Sequence, residues 1–264
     1  MKNKKAFTLI ELLVVIAIIA LLLAIIMPSL RLAKEKAKAL VCRTRMKQWN
    51  LITSMYGMDN DSKFPDRYPT GGGHWWLQPL RPYYQEPKIR LCPSAAKPPA
   101  NIGWGSNRKP NECWVTTNPF PNFEDGENIH GSLGPNGWLM DITAGEAYGS
   151  EYGKSWERLT EVTANVPLFL DCWWVDGWPD DDDIPQNNPE DATTWDINSN
   201  PMQRFNIDRH SGGVSGVYMD GSCRNIGLKG LWRLKWHKQF NINNQMTNGT
   251  RAWPDWMRSF NDNI

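Results

Sequence analysis

Lys4-Lys5-Ala6-Phe7-Thr8-Leu9-Ile10-Glu11 runs directly into an unbroken apolar stretch from Leu12 to Met27. Between Phe7 and Met27 the only charge is Glu11. At about 1.5 Å per helical residue such a run reaches roughly 30 Å, the thickness of one hydrocarbon core. The segment can therefore span a bilayer. Lys2, Lys4 and Lys5 precede it, and basic residues beside a span stay on the cytoplasmic side, so the rest of the chain is expected across the membrane. A cleaved secretory signal shares these parts, but its apolar region is about 7 to 15 residues long and ends in a small-residue cleavage site. Here a basic helical segment follows instead. A plain anchor leaves Glu11 unexplained, because an ionised carboxylate in apolar surroundings is costly unless it finds a partner. A positive charge is required nearby.

The run from Lys4 to Ala20, KKAFTLIELLVVIAIIA, resembles the leader and first helix of type IV pilins and type II secretion pseudopilins. The resemblance implies that a prepilin peptidase cuts between Ala6 and Phe7 and methylates the new Phe7 amine. Glu11 then becomes the partner of a neighbouring subunit's terminal amine during filament assembly. It further implies a single-pass protein of the bacterial inner membrane, N-terminus cytoplasmic and head periplasmic, which joins other pilin-like subunits in a periplasmic or extracellular filament. The family usually carries Gly before the cut; Ala6 keeps the small size, with slower processing as the expected consequence. Pro28 fits a helix-interior kink or local melting, and equally the end of the span.

The charge is unevenly divided. Residues 31–47 hold seven basic residues against Glu35 alone, and residues 48–264 carry a net −7 although the whole chain is only +1. A basic neck thus precedes an acidic head. Anionic lipid or nucleic acid is one reading of such a neck, but a solvated helix face pairing with acidic neighbours is the plainer one, and no specific nucleic-acid partner is expected. Leu30, Ala33, Ala37, Leu40, Val41, Thr44, Leu51, Ile52 and Met55 recur at three- and four-residue steps, predicting one apolar stripe for the head to cover. Breaker chemistry in Asp59-Asn60-Asp61-Ser62-Lys63-Phe64-Pro65 places the helix end near Met58. The chain divides into a leader (1–6), a membrane or filament-core helix (7–28), an amphipathic continuation (29–58) and a globular head (59–264).

Residues 65–136 show no sustained periodicity and read as loops with short strands. Ser155 to Leu159 fits a short capped helix, and Val166 to Val175 is an apolar strand-like run. Asp220-Gly221 between two alternating runs predicts a hairpin with a type I′ turn, in which both central residues have positive φ. An antiparallel sheet packed on the long helix gives an α+β fold. His210, nine intervening residues and Asp220-Gly221 also resemble the C-terminal motif of a group of bacterial pilin-like proteins; the reading of the residues is structural, since a His beside a Gly-rich turn fixes that turn by hydrogen bonding.

No nucleophile elbow or metalloprotease helix is present, so the chain is read as no enzyme and without a cofactor. Asp176, Asp180, Asp181, Asp182 and Asp183 repel one another unless solvated or bound to a hard cation. A solvated acidic loop is the default and calcium the alternative, which pseudopilins of type II secretion also suggest. The five cysteines contain no C-x-x-C pair, and export to an oxidising compartment predicts disulfides. Cys172 with Cys223 is the first choice, both lying on strands expected to be neighbours; Cys92 would pair with Cys113 or Cys42. Fifteen tryptophans serve either as core filler in a loop-rich head or as exposed platforms for a glycan or secreted polymer. The leading reading is a pilin-like structural subunit, minor or specialised; the rival is a membrane-anchored, Trp-rich carbohydrate-binding module.

Overall fold

The computed structural model describes residues 8–66, 76–99, 109, 111–117, 128–141, 153–190 and 194–260. Helix α1 runs from Leu9 to Asp59 without interruption, 51 residues or about 77 Å of rod. Pro28 lies inside it, so the carbonyl of Ala24 is left without its usual amide donor. The helix ends one residue beyond the breaker expectation, where Asn60 donates its N–H to the Gly57 carbonyl.

The head is α+β. Strands β1 (Trp114–Thr117) and β2 (Asn128–Gly131) form one antiparallel pair, and β3 (Leu133–Pro135), β4 (Pro167–Asp171), β5 (Gly213–Tyr218) and β6 (Cys223–Gly227) form a four-stranded antiparallel sheet in that order. Every residue of β4 and β5 is buried, because both faces of the sheet are covered. On one face α1 presents Cys42, Met46, Trp49 and Ile52 to Phe169 and Val217. On the other, the segment after β6 folds back so that Leu228, Leu231, Trp232 and Trp236 pack against Leu170, Val214 and Ile226. Three layers result, with the sheet in the middle.

Several expectations are corrected. The stripe of α1 that the head covers is Cys42, Met46, Trp49, Ile52, Thr53 and Gly57, whereas Leu30, Leu40, Val41, Leu51 and Met55 are exposed. At 100° per residue the two stripes lie on nearly opposite sides of the helix, with Ile52 the one residue common to both lists. Trp49 decides which is covered: its indole stacks on Phe169 at 5.2 Å and meets Trp76 and Tyr84 edge-on at 5.1 Å, while Nε1 donates to the Ile89 carbonyl at 3.0 Å. No residue of the other stripe carries a ring of that area.

The Asp220-Gly221 hairpin is present, but its turn is different. Gly221 has φ +76° and Asp220 is not among the residues with positive φ. Tyr218 N–H donates to Ser222 and Gly221 N–H to Tyr218, a three-residue loop closed by a left-handed glycine rather than a type I′ turn. The loop is held from outside: Met219 N–H reaches Val166 and Asp220 N–H reaches Ala164. Ser155 to Arg158 is extended rather than helical, because Lys63 pairs with Arg158 as an isolated bridge and Leu159 N–H donates to Ser62; only Leu159–Glu161 makes a helical turn. The strand predicted to reach Val175 stops at Asp171, where the chain turns so that Trp173 N–H donates to Arg204.

Candidate functional site

Two places combine chemistry with position. The first is the head of α1. Thr8 is its N-cap, and Glu11 stands three residues on. Glu11 Oε2 accepts from the Thr8 N–H at 2.8 Å and from its hydroxyl at 2.7 Å, while Thr8 Oγ1 accepts from the Glu11 N–H at 3.3 Å. This is a reciprocal capping box, and it gives the carboxylate a local partner that the apolar-span reading lacked. The pattern Thr-x-x-Glu is legible in the sequence, but the isolated charge of Glu11 draws the reading away from it. Ala6 and Phe7 lie outside the described residues. The apolar side chains from Leu9 to Leu32 are exposed, Leu9 at 78% and Leu30 at 63%, in a segment long and apolar enough to cross a membrane.

The second is a buried cluster where four distant segments meet. Cys42 comes from α1, Cys92 from the loop after the 3₁₀ turn Pro87–Arg90, Asp171 from the end of β4, and His210 from the approach to β5. His210 Nε2 stands 3.1 Å from Asp171 Oδ2 and 3.4 Å from Cys92 Sγ, and Cys42 Sγ donates to Asp171 Oδ1 at 3.4 Å. One ligand atom from each of the four lies within 4.8 Å of the others. Around them, Ser215 N–H donates to Asp171 Oδ2 at 2.8 Å, Cys92 N–H to Ser132 Oγ at 2.5 Å, and the buried Arg209 guanidinium sits 3.6 Å from Asp171. Burial pushes the Asp171 carboxyl up, but hydrogen bonding and charge from His210 and charge from Arg209 outweigh it and hold it below its ordinary value. Burial lowers His210, and the bonds to Asp171 and Cys92 overcome that and raise it to about 10. Burial drives the Cys42 thiol well up, while the bond from Cys42, against burial, brings Cys92 down to about 7.

The other half of the predicted C-terminal motif lies at the far end of β5. Asp220 Oδ1 accepts from Ser222 N–H at 2.8 Å. A Cβ on Gly221 would stand 3.2 Å from Asn50 Oδ1 of α1, and Asn50 Nδ2 donates to the Tyr218 carbonyl at 3.3 Å. His210 and Asp220-Gly221 therefore mark the two ends of one strand, and each end rests against α1.

Cys172 and Cys223 do not adjoin. Strand β5 lies between theirs: Val217 pairs with Cys223, whereas the residue opposite the end of β4 is near Ser215. Both are free thiols, as are Cys42 and Cys92. Strand order in space, which local sequence cannot give, defeats the adjacency argument. Cys113 is buried beside β1.

The acidic loop is tied down residue by residue. Asp176 pairs with Arg204 at 3.1 Å, Asp180 takes His237 Nε2 at 3.1 Å and the Lys154 ammonium, and Asp183 Oδ2 accepts from the N–H groups of Asp180 and Met202. Asp182 offers its backbone carbonyl to Gln245. Asp180, Asp181 and His237 bring three ligand atoms within 4.8 Å, with Lys154 already on Asp180. Of the tryptophans, ten are buried and Trp174, Trp253 and Trp256 partly so among the described residues; Trp75 and Trp104 lie outside them. Trp76, Trp138 and Trp178 are core, with Trp138 meeting Trp178 edge-on at 5.1 Å.

A family model described as "Prokaryotic N-terminal methylation motif" matches residues 1–27. With the exposed apolar half of α1, this marks the N-terminal segment as similar to that of prepilin-type proteins. The chain is also 45% identical over 62 residues to "Type IV wide pilus major component PilA4" of Thermus thermophilus, covering 24% of this chain and 47% of that protein. The chain thus spans about half the length of the curated relative it matches. No solved structure matches.

Proposed function

We propose that the chain is a structural subunit of a type IV pilus-like or type II secretion-type filament, in a minor or specialised position, without chemistry of its own. One observation carries the reading: α1 is a single rod whose second half is built into the head and whose first half, from Leu12 to Met27, presents only exposed apolar side chains. Such a surface requires lipid or other copies of itself. In this reading a prepilin peptidase cuts between Ala6 and Phe7 and methylates Phe7, the rod waits in the inner membrane with the head on the periplasmic side, and it leaves the bilayer for a filament core. The capping box supports it, since Glu11 is held beside the Thr8 N–H, one residue from the amine that cleavage would create. A neighbour's amine would then exchange for a bond the carboxylate already makes, which eases its transfer through lipid. The outward stripe of Leu30, Leu40, Leu51 and Met55 extends the same surface into the neck, where the basic face suits the acidic heads of adjacent copies.

Terminal-peptide mass analysis of protein from its native host tests the processing: a chain beginning at N-methylated Phe7 is expected, and a steady-state chain retaining Met1 to Ala6 overturns it. Glu11→Ala is expected to leave the protein in the membrane while its incorporation into sheared filaments drops at least about tenfold; unchanged incorporation removes Glu11 from assembly.

A further inference from the structure

We propose that Cys42, Cys92, Asp171 and His210 bind a zinc ion that clamps the long helix to the head. Two thiols, an imidazole nitrogen and a carboxylate are a donor set that suits zinc over hard cations. The spacing suits it too. With Zn–S near 2.3 Å and Zn–N or Zn–O near 2.0 to 2.1 Å, a tetrahedron has edges of about 3.5 Å between sulfur and nitrogen or oxygen and about 3.4 Å between nitrogen and oxygen. The matching separations here are 3.4 Å for Cys92 Sγ to His210 Nε2 and 3.4 Å for Cys42 Sγ to Asp171 Oδ1, and one donor atom from each of the four residues lies within 4.8 Å of the others. A small outward movement of each donor admits the ion.

The surroundings are those of a structural site. All four residues are buried, as closed zinc sites require. A dication with two thiolates, one carboxylate and a neutral imidazole sums to −1, and the buried Arg209 guanidinium beside Asp171 brings the total to zero. Asp171 can give Oδ1 to the ion and keep Oδ2 on the Ser215 N–H, while Cys92 is oriented by its own N–H on Ser132; such outer contacts fix ligand geometry. Of the four ligands, His210 also lines a groove of about 410 Å³, beside Leu32, Glu35, Lys36, Ala39 and Arg43. The ligands come from segments far apart in sequence, so the ion would close three long loops at once and hold α1 to β4 and β5.

The test uses the full chain in detergent. Elemental analysis is expected to give one zinc per chain. Replacement by cobalt is expected to give the near-ultraviolet thiolate band and the visible bands of a tetrahedral site, both falling at least about tenfold in Cys92→Ser. Cobalt spectra of the unsubstituted chain decide the matter even if that variant does not fold. Failure of the reduced chain to take up stoichiometric zinc, cobalt spectra without the thiolate band, or a Cys42 to Cys92 disulfide in peptide maps of protein from the native host would each overturn the proposal.

Discussion

At the residue scale, Glu11 and Thr8 explain each other. At the head of an apolar helix the carboxylate closes a capping box, which satisfies two amide donors that the helix start otherwise leaves unpaired. Thr8→Val is expected to cost about 1 kcal/mol of local helix stability, seen as faster hydrogen exchange at the amides of Leu9 to Leu12 with no change in the head. Gly221 is a second residue with a defined duty. At φ +76° with Asn50 Oδ1 3.2 Å from an added Cβ, Gly221→Ala meets both a disfavoured backbone and the helix, so a loss of about 1 to 3 kcal/mol is expected in thermal unfolding. Gly249, at φ +79° with nothing within 4 Å, should lose only the backbone part. Tyr218 gives a pH signature. Its buried hydroxyl has no hydrogen-bond partner among the described residues, and burial raises it from 10.0 to about 12. The folded state keeps the phenol proton where the unfolded chain releases it, so this contribution is fully present below pH 10 and disappears as the pH rises to 12. Tyr218→Phe should match or exceed the parent's stability at neutral pH, and its melting temperature should fall less steeply over that alkaline window.

At the scale of elements, α1 carries two apolar stripes and only packing tells them apart. Leu30, Leu40, Leu51 and Met55 satisfy helical periodicity as well as Cys42, Met46, Trp49 and Ile52 do, and the moment of a helix does not say which side meets the head. Trp49 settles it through ring area: it alone bridges Phe169, Trp76 and Tyr84. Trp49→Ala is expected to cost about 3 to 5 kcal/mol, whereas Leu51→Ala, on the outward stripe, should stay within about 0.5 kcal/mol in the isolated chain. The hairpin was legible from Asp220-Gly221, but its loop length was not, because the hydrogen bonds of Met219 and Asp220 go to Val166 and Ala164, more than fifty residues away. A turn signal names a place; the neighbouring strand selects its geometry.

At the scale of the whole molecule, the described residues form a rod whose N-terminal half is apolar and exposed, and a head layered on both sides of its sheet. Tryptophan serves that second layer. Trp232 Nε1 donates to Asp183 and Trp236 Nε1 to Leu231, both at 2.8 Å, so large rings fill a layer that lacks long elements while their N–H groups satisfy loop carbonyls. The acidic loop belongs to the same layer, with Asp183 as a buried acceptor under it.

The sequence by itself determined the rod, its apolar half, the basic neck, the hairpin and the α+β class, because helical length, apolar continuity and turn chemistry are properties of adjacent residues. Tertiary structure alone decided which face of α1 the head takes, that β5 separates Cys172 from Cys223, and that Cys42, Cys92, Asp171 and His210 converge. Each of these depends on contacts between residues far apart in the chain, where burial of large rings and satisfaction of buried polar groups choose among arrangements that local patterns leave equal.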